Sequence, residues 1–537
     1  MIKSLILTMA MTTEPASLHP YTAAPAAGNY ILQMAYRTWT YLDENSVWKP
    51  MLAQKIPSLQ DKTLSVITEN GHKKTVAIWD IKTDAKWGDG TKITCKDARF
   101  GWEVGSHKNA EVNYKSAFDD IEDITWDEKI PTRCRFKFRN VKWNFYWDLP
   151  GPLPAHLEES IFKQHASTAE AYGQNSLYRK TPSAKGLWNG PYVVTEVVHG
   201  SHVVLEANAN FFGSPPKIKK IIVKTIPNTS TLKSHLLSGS INMISRIGLS
   251  LDEALSFEKE IAEKNLPYKV NFKDSFAFFR VQLNLDNPIL KDIRVRQALL
   301  EGFDPSTLDK VFEGKLLRAT HYLSPQDPNY SDKYTLVAGK SKGGKKHAGE
   351  LLSQAGWILG QDGFRYKNGE KLTLSLITTA GPSINATIQV IVQEQWKKLG
   401  FDIRLKTVTA NLLYSEIFGK RTFDMCAYSN YLLPGDSAEE LLHSKGIPSV
   451  QNNENGQNVG GINNPKIDQG LEALRIEADP AKRKKITEKI LKEYVAMVPV
   501  IPLYFRLDST VLPKDFKGFK PTGSFFYESL QSEHWEF

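Results

Sequence analysis

Hydrophobic residues alternate with polar ones along several short segments of this chain. Residues 193–198 and 203–207 are rich in β-branched side chains and are separated by Gly200-Ser201, and residues 218–226 are apolar at alternate positions. Alternate side chains of a strand point to opposite faces. These segments therefore predict three strands, the first two joined as a hairpin in which Gly200 supplies the unusual backbone dihedral.

Other segments repeat their hydrophobic residues at helical spacing. In residues 292–300 the apolar side chains fall on one stripe and Arg294 and Arg296 on the other, and residues 386–399 repeat the pattern before Gly400. The spacing predicts two amphipathic helices, the second of which ends at Gly400. Strand and helix patterns alternate along the chain without an internal repeat, which is typical of an α/β protein.

A tight turn followed by a capped helix is predicted after Trp87. Asp89-Gly90 is a turn pair, because Gly accepts a positive φ and Asp can bind nearby backbone amides. Thr94 is a favourable N-cap for a helix that carries Asp97 three residues later, where a carboxylate can bind back to the cap. No nucleophile, base or metal-binding cluster accompanies this turn, so by itself it indicates scaffold.

Length and charge narrow the class of protein. The chain has 537 residues, which is too long for one hydrophobic core and predicts two or three lobes. Hydrophobic residues make up 41% and charged residues 24%, as in a folded globular protein. The formal net charge of +9 is modest, and no basic face interleaved with aromatic residues is evident. A nucleic-acid partner is therefore not expected.

The beginning of the chain imitates a short signal peptide. Residues 2–11 contain a lysine and an apolar run, but Ser4 and Thr8 interrupt that run and no small-x-small cleavage site follows it. We therefore interpret Met1 as an added initiator on a mature domain whose export signal has been removed. No later segment is long and apolar enough to predict a membrane span.

The three cysteines leave two interpretations open. Cys95 and Cys134 fall in the same predicted lobe and would pair in an oxidising compartment, which leaves Cys426 alone. Three buried free thiols are an equally good interpretation. No spacing typical of a zinc or iron–sulfur site is present.

The motifs that suggest an enzyme lack the residues or the sequence context that their chemistry requires. Residues 339–343 satisfy the GxSxG pattern, but the serine is flanked by lysines in a loop dense in Gly and Lys. The same stretch approximates a P-loop, yet Lys346 stands where the magnesium-binding Ser or Thr belongs. His199 and His202 bracket a hairpin turn without a partner at metal-ligand spacing. We predict no catalytic residue, no metal ligand and no cofactor.

Several stretches in a consistent order resemble one protein family. They are residues 87–90 (Trp-Gly-Asp-Gly), 190–192 (Gly-Pro-Tyr), 293–298 (Ile-Arg-Val-Arg-Gln-Ala) and 351–357 (Leu-Leu-Ser-Gln-Ala-Gly-Trp). Together they resemble the bacterial extracellular solute-binding proteins of family 5, the oligopeptide- and dipeptide-binding components of ABC importers. The resemblance extends over nearly the whole chain.

The resemblance implies an α/β fold of the periplasmic binding protein type II class, with two lobes, a hinge and an extra inserted subdomain of the cluster C type. On this basis the first lobe takes residues 1–42, 187–278 and 500–537. The inserted subdomain takes residues 43–186, and the second lobe takes residues 279–499.

The resemblance also indicates where an acidic ligand anchor would lie. Peptide-binding relatives hold the ligand's ammonium group with an aspartate that follows a Trp-x-x segment, and the matching stretch here is residues 424–436. Tyr431 stands for the tryptophan and Pro434 for the aspartate. Proline offers neither a charge nor a side-chain acceptor. Either Asp436 replaces the anchor, or the ligand has no amino terminus held in that way.

Eight residues are candidates for contact with a ligand at the cleft that the resemblance implies. They are Arg37, Trp39, Trp188, Phe278, Tyr428, Asn430, Tyr431 and Asp436. The aromatic residues would supply apolar walls with polar tips, although core packing is the competing interpretation for each of them. Arg37 would either clamp a carboxylate or phosphate or pair with a surface acid.

The resulting hypothesis is a monomeric substrate-binding protein of an ABC importer, periplasmic or at the cell surface. It would capture a peptide or peptide-like solute, deliver it to a membrane permease and make no bond. An oligosaccharide, an opine or a metal chelate is the alternative ligand, because the acidic anchor is altered. A hydrolase and a signalling adaptor are the alternatives from other classes.

Overall fold

The computed structural model describes residues 5–21, 26–109, 112, 115–147, 149–339, 344–380, 383–452 and 454–537. The GxSxG serine and the glycine that ends this motif lie outside the described residues, as do the first four residues of the chain. Among the helices that the structure describes, none combines the length and the hydrophobicity that crossing a bilayer requires.

The chain divides into two compact units. Unit 1 comprises Met1–Leu249, Ser256–Lys273 and Ser509–Phe537, and unit 2 comprises Ser250–Leu255 and Asp274–Asp508. The three-part first lobe with its inserted subdomain is a finer division of the chain and stays a prediction.

Unit 1 contains eleven strands that belong to it alone among the described residues. They are β1 (Ile6–Met11), β2 (Thr40–Leu42), β3 (Trp48–Pro50), β4 (Leu64–Glu69), β5 (His72–Asp80), β6 (Ile121–Trp126), β7 (Arg133–Phe138), β8 (Tyr192–Val198), β9 (His202–Ala207), β10 (Lys220–Thr225) and β11 (Met243–Ile244). Its helices are α1 (Ala26–Ala35), α2 (Cys95–Ser106), α3 (Lys115–Asp119), α4 (Ala155–His165), α5 (Ala169–Asn175), α6 (Leu177–Lys180) and α7 (Thr229–Leu237).

The larger sheet of unit 1 contains the consecutive strands β11-β1-β10-β9-β8. β1 lies parallel to β10 and β11, whereas β10, β9 and β8 are antiparallel neighbours. The predicted hairpin is confirmed as β8 and β9, with Gly200 at φ +72° in the turn. The third predicted strand is β10. The apolar side of this sheet includes Leu7, Met9 and Met11, all completely buried.

A second, antiparallel sheet of unit 1 has the order β4-β5-β7-β6. A disulfide joins Cys95, the first residue of α2, to Cys134 in β7, so the paired interpretation of these two cysteines is the one that the structure contains. Cys426, in unit 2, is a buried free thiol.

The predicted turn and helix cap before α2 are confirmed. Gly90 has φ +93°, and the Asp89 carboxylate accepts a hydrogen bond from the Thr91 amide at 2.9 Å. The Asp97 carboxylate accepts from the backbone N–H of the N-cap, Thr94, at 2.8 Å. It also accepts from the Ala155 amide at 3.1 Å, so the buried carboxylate joins the N-termini of α2 and α4.

Two elements continue from one unit into the other. They are α8 (Leu251–Glu263) and β12 (Tyr268–Leu283). Unit 2 then has the strands β13 (Leu317–Arg318), β14 (Ile358–Leu359), β15 (Arg365–Lys367), β16 (Glu370–Lys371), β17 (Thr373–Thr379), β18 (Asp402–Val408) and β19 (Met425–Tyr431). Its helices are α9 (Ile293–Gly302), α10 (Ser306–Val311), α11 (Gly344–Gln354), α12 (Ser383–Lys397), α13 (Ala410–Leu412), α14 (Glu439–Leu442), α15 (Pro465–Ile476) and α16 (Pro480–Met497), and the returning strand β20 (Val500–Pro513) ends in unit 1.

The main sheet of unit 2 contains the consecutive strands β18-β17-β19-β12. β17 is parallel to both β18 and β19, and β12 is antiparallel to β19. The second predicted amphipathic helix is α12, and Gly400 follows it with φ +93°. Trp396, on the apolar stripe of α12, is completely buried and donates from Nε1 to the Leu299 carbonyl of α9 at 2.9 Å.

The structure corrects the prediction for one arginine of α9. Arg294 lies on the polar side and pairs with the N-cap residue Asp292. Arg296, predicted on the same polar stripe, is buried and donates to the carbonyl oxygens of Leu290, Lys291 and Met497. Spacing cannot anticipate this arrangement, because the acceptors belong to a preceding turn and to the end of a distant helix.

The disulfide of unit 1 should contribute a measurable part of its stability. It closes a loop with a sequence separation of 39, and restricting an unfolded chain by a loop of that length is worth about 4 kcal/mol in the chain-entropy treatment. We expect the double variant Cys95→Ala/Cys134→Ala to lose stability of this order in urea unfolding followed by far-UV circular dichroism.

Reduction provides the matched control. Dithiothreitol should destabilise the wild-type protein and the Cys426→Ala variant by the same amount, and should leave the stability of the double variant unchanged. Equal sensitivity of all three proteins to the reductant would contradict a stabilising disulfide.

Candidate binding face of unit 2

The pairing of β12 with β19 brings several predicted site residues together. Arg280 lies opposite Tyr428, and Phe278 lies opposite Asn430. Because every second side chain of a strand points to the same face, Phe278 and Arg280 share a face with Tyr428 and Asn430. The part of β12 from Ser275 to Leu283 is buried throughout, and Arg280 is the one charged residue within it.

Arg280 is held by a set of neutral acceptors. Its Nη2 donates to the Tyr428 hydroxyl at 2.7 Å and to Asn430 Oδ1 at 2.5 Å. Nη1 donates to the Phe278 carbonyl at 3.2 Å, and Nε donates to Gln282 Oε1 at 3.3 Å. The guanidinium carbon also lies 4.2 Å from the centre of the Tyr428 ring and 5.3 Å from that of Phe278.

Aromatic side chains continue this face. The Phe418 ring centre is 4.7 Å from that of Tyr428 and 5.5 Å from that of Tyr414, which is 53% exposed. Tyr414 belongs to a π-helical turn over Leu413–Ile417, a conformation that is rare and occurs often at functional sites. Burial raises the pKa of Tyr428, partly opposed by the charge of Arg280, so its hydroxyl remains protonated.

The one thiol on this face is not an activated nucleophile. Cys426 precedes Tyr428 by two residues on β19 and is completely buried. Burial raises its pKa to about 12, against a smaller opposing effect of the Arg280 charge. A reactive cysteine needs the opposite shift, because the thiolate is the nucleophile.

The segment expected to carry the acidic anchor forms a tight turn. The Asp436 amide donates to the Leu433 carbonyl at 2.9 Å, and Gly435 has φ +85°. Proline at the second position and glycine at the third are typical of a type II turn. Asp436 is half-buried, and its Oδ1 accepts from the Ala438 amide at 2.9 Å. Tyr431, also half-buried, lies opposite Ala277 on β12.

Sequence reasoning missed a second carboxylate beside this turn. Asp327 is buried and accepts from the Gly435 amide at 2.8 Å and from the Asn329 amide at 2.7 Å. Burial raises its pKa to about 6, although both amides and the charge of Arg483 act in the opposite direction. The sequence Asp-Pro-Asn around it signals a local turn, but nothing in it points to Gly435, 108 residues away.

Arg280 was also missed, although the sequence does carry a signal. It is a lone charged residue in the run Phe-Ala-Phe-Phe-Arg-Val, residues 276–281. A charge within an apolar strand must find partners where it is buried, which makes it a candidate functional residue.

The three predicted site residues of unit 1 lie in its interior. Arg37 is buried and its Nη2 donates to Glu533 at 2.9 Å, so its guanidinium is engaged by an acid of the same unit. Trp39 and Trp188 are completely buried and donate from Nε1 to the carbonyls of Pro150 and Pro182. These contacts support the core interpretation, and ligand contact by the three side chains stays a prediction.

Among the residues that the structure describes, no group of three or more His, Cys, Asp or Glu side chains is arranged to hold a metal ion.

The sequence model of the bacterial extracellular solute-binding proteins, family 5, matches residues 48–446, which is more than half of the chain. The chain belongs to this family. The family is one of solute-binding proteins, and its type II fold of two lobes is the one that the mixed α/β architecture here represents.

Individual relatives of this family-5 protein support the same placement. The chain is 25% identical to the oligopeptide-binding protein AppA of Bacillus subtilis, over 94% of this chain and 87% of AppA. The structure of an oligopeptide-binding protein from Thermus thermophilus, complexed with a pentapeptide, superposes with a TM-score of 0.77 at 22% identity, covering 99% of this chain and 96% of that one. NikZ from Campylobacter jejuni, in complex with Ni(L-His), gives a TM-score of 0.77 at 22% identity and full coverage of both chains.

The raised pKa of Asp327 predicts a pH dependence of stability. The folded group keeps its proton up to about pH 6, whereas the unfolded chain loses it near the ordinary value of 3.8. Between these values the folded state binds more protons, so the contribution of Asp327 to the free energy of unfolding falls as the pH rises, by at most about 3 kcal/mol.

An Asp327→Asn variant should lack this change. Both oxygens of the Asp327 carboxyl group accept backbone amides, and the asparagine side chain replaces one of these oxygens by an NH2 group that cannot accept. We therefore expect the variant to be less stable than wild type at pH 4. The difference in stability should narrow by pH 7, because only the wild type loses stability as the pH rises. Urea unfolding followed by tryptophan fluorescence measures both, with Asp332→Asn, at an exposed position, as the control. A difference that is constant with pH would contradict the shifted pKa.

Proposed function

We propose that this family-5 protein is the substrate-binding component of an ABC importer for peptides or peptide-like solutes. It binds the solute without breaking a bond and delivers it to permease subunits in the membrane. AppA of Bacillus subtilis is named an oligopeptide-binding protein, and the Thermus thermophilus structure holds a pentapeptide. Both relationships cover nearly the whole chain and favour a peptide ligand.

The observation that carries the proposal is the composition of the face formed by β12 and β19. It combines hydrogen-bonding groups with aromatic rings, the mixture that peptide sites use for backbone and side-chain recognition. Phe278, Tyr428, Asn430, Tyr431 and Asp436 are the proposed ligand contacts in unit 2. The protonated thiol of Cys426 favours binding over hydrolysis at this face.

A metal chelate is the second candidate ligand. NikZ, which shares the fold over the full chain, was solved with Ni(L-His). The specific observation in its favour is the charge of Arg280, because an amino-acid chelate presents carboxylates to a guanidinium. A peptide accounts for the same charge and also agrees with the name of AppA.

The site of action is proposed to be the periplasm or the cell surface, with the protein acting as a monomer. The disulfide between Cys95 and Cys134 supports this location, because such bonds persist in oxidising compartments.

Mass spectrometry of solutes released by denaturation from freshly purified protein tests the proposal. We expect stoichiometric peptides, and we expect protein freed of ligand by unfolding and refolding to retain peptides from a tryptic digest of casein. Retention of Ni(L-His) together with no peptide would contradict the peptide assignment. Shortened peptides after incubation would contradict binding without bond cleavage.

Single substitutions locate the site. Asn430→Ala should weaken binding of the best retained casein peptide by on the order of 10-fold, because it removes a hydrogen-bonding group from the face formed by β12 and β19. His199→Ala, on the exposed hairpin turn of unit 1, should leave the affinity unchanged in isothermal titration calorimetry. Equal affinities of the two variants would place the ligand elsewhere.

A further inference from the structure

Arg280 differs from every other buried arginine among the described residues. Arg37 pairs with the carboxylate of Glu533. The remaining three each bind a carbonyl at or just beyond the end of a helix, where the helix dipole adds negative potential. These pairs are Arg296 with Met497 of α16, Arg365 with Leu399 after α12, and Arg483 with Leu474 of α15.

Arg280 has neither kind of compensation. It is 4% exposed, it lies on a strand, and its partners are a phenol, two side-chain amides and one strand carbonyl. Taking a cation out of water is costly unless an opposite charge or a full set of acceptors replaces the hydration shell. Within the described part of the chain, no carboxylate lies within salt-bridge distance of this guanidinium, so its charge is available to an anion from outside the chain.

The groups that accept hydrogen bonds from Arg280 also carry donor hydrogens, which do not point at the guanidinium. The Tyr428 hydroxyl uses its oxygen to accept from Nη2, which leaves its hydrogen to donate elsewhere. Asn430 accepts through Oδ1, which leaves its Nδ2 hydrogens to donate. Nη1 uses one hydrogen on the Phe278 carbonyl and has a second. Among the described residues none of these remaining hydrogens has an acceptor, so the groups form a set of donors beside a positive charge.

Such a set matches a carboxylate. The one free Nη1 hydrogen of a guanidinium held in orientation by its other hydrogen bonds can bind one carboxylate oxygen, and the Tyr428 hydroxyl and the Asn430 amide can donate to the remaining lone pairs. The Tyr428 and Phe278 rings limit hydration of the ion pair, which strengthens it.

We propose that Arg280, the Tyr428 hydroxyl and the Asn430 amide bind a carboxylate of the imported solute. The inference rests on the proposed function and specifies it, because it makes the protein selective for solutes that carry a carboxylate. In a peptide the carboxylate is either the C-terminus or an Asp or Glu side chain.

Chemical variants of one peptide test the proposal on the unmodified protein. The best retained acidic peptide from the casein digest is synthesised as the free acid, as the C-terminal amide, and with its acidic side chains replaced by the corresponding amides. We expect isothermal titration calorimetry to show that one of the two neutralised forms binds on the order of 30-fold more weakly than the free acid. The form that binds more weakly tells whether the carboxylate comes from the C-terminus or from an acidic side chain. Equal affinity for all three forms would overturn the proposal.

Substitution of the arginine completes a double-mutant cycle. Arg280→Gln should weaken binding of the free acid by a similar factor and bind the neutralised peptide about as well as wild type does. Arg294→Gln removes a charge from an exposed side chain of the same unit and should preserve the difference between the two peptides. If Arg280→Gln does not fold, Tyr428→Phe, which removes one donor, replaces it and should reduce the same difference.

The outcomes separate this inference from the proposed function. If peptides bind with an affinity that depends neither on the charge of the peptide nor on the charge of residue 280, the carboxylate site is overturned and the peptide assignment remains. If no peptide binds, the same variants are titrated with Ni(L-His), which also carries carboxylates. Equal affinity of wild type and Arg280→Gln for this chelate would overturn the inference on that ligand.

Discussion

The antiparallel pairing of β12 with β19 is the constraint on which the candidate site depends. The register places Arg280 opposite Tyr428 and Phe278 opposite Asn430, and the period of two puts all four on one face. A slip of one residue would move each side chain of one strand to the other face and leave Arg280 without the phenol and the amide that hold it. The chemistry of the face is therefore a consequence of strand register.

Burial of charge shapes both units in the same way. Each buried arginine is engaged by an acid, by carbonyls near a helix end or, at Arg280, by neutral groups of two strands. Asp97 and Asp327 show the corresponding solution for carboxylates, since each accepts backbone amides of two separate segments. Such groups hold distant segments together, because an unpaired buried charge costs more free energy than the loss of freedom of the segments that supply its partners.

Sequence patterns were sufficient for local structure and for the family. The hairpin of β8 and β9, the cap of α2 and the turn through Gly400 after α12 all follow from residues within a few positions of one another. Family membership followed from short stretches in order, and the fold class followed from membership. The patterns failed at Arg296, because helical spacing assigns a charged side chain to solvent unless distant carbonyls are known.

Alternation, caps and turn residues determined by themselves three strands, two amphipathic helices, one capped helix and the α/β class of this protein, because those signals act over a few residues. Tertiary structure alone decided which charges are compensated. Arg37, singled out from the sequence, is engaged by Glu533, 496 residues later. Arg280, overlooked, meets Tyr428 and Asn430 only through pairing of strands about 150 residues apart. The physical reason is that electrostatic and hydrogen-bond compensation acts between neighbours in space, and a single sequence records neighbours along the chain.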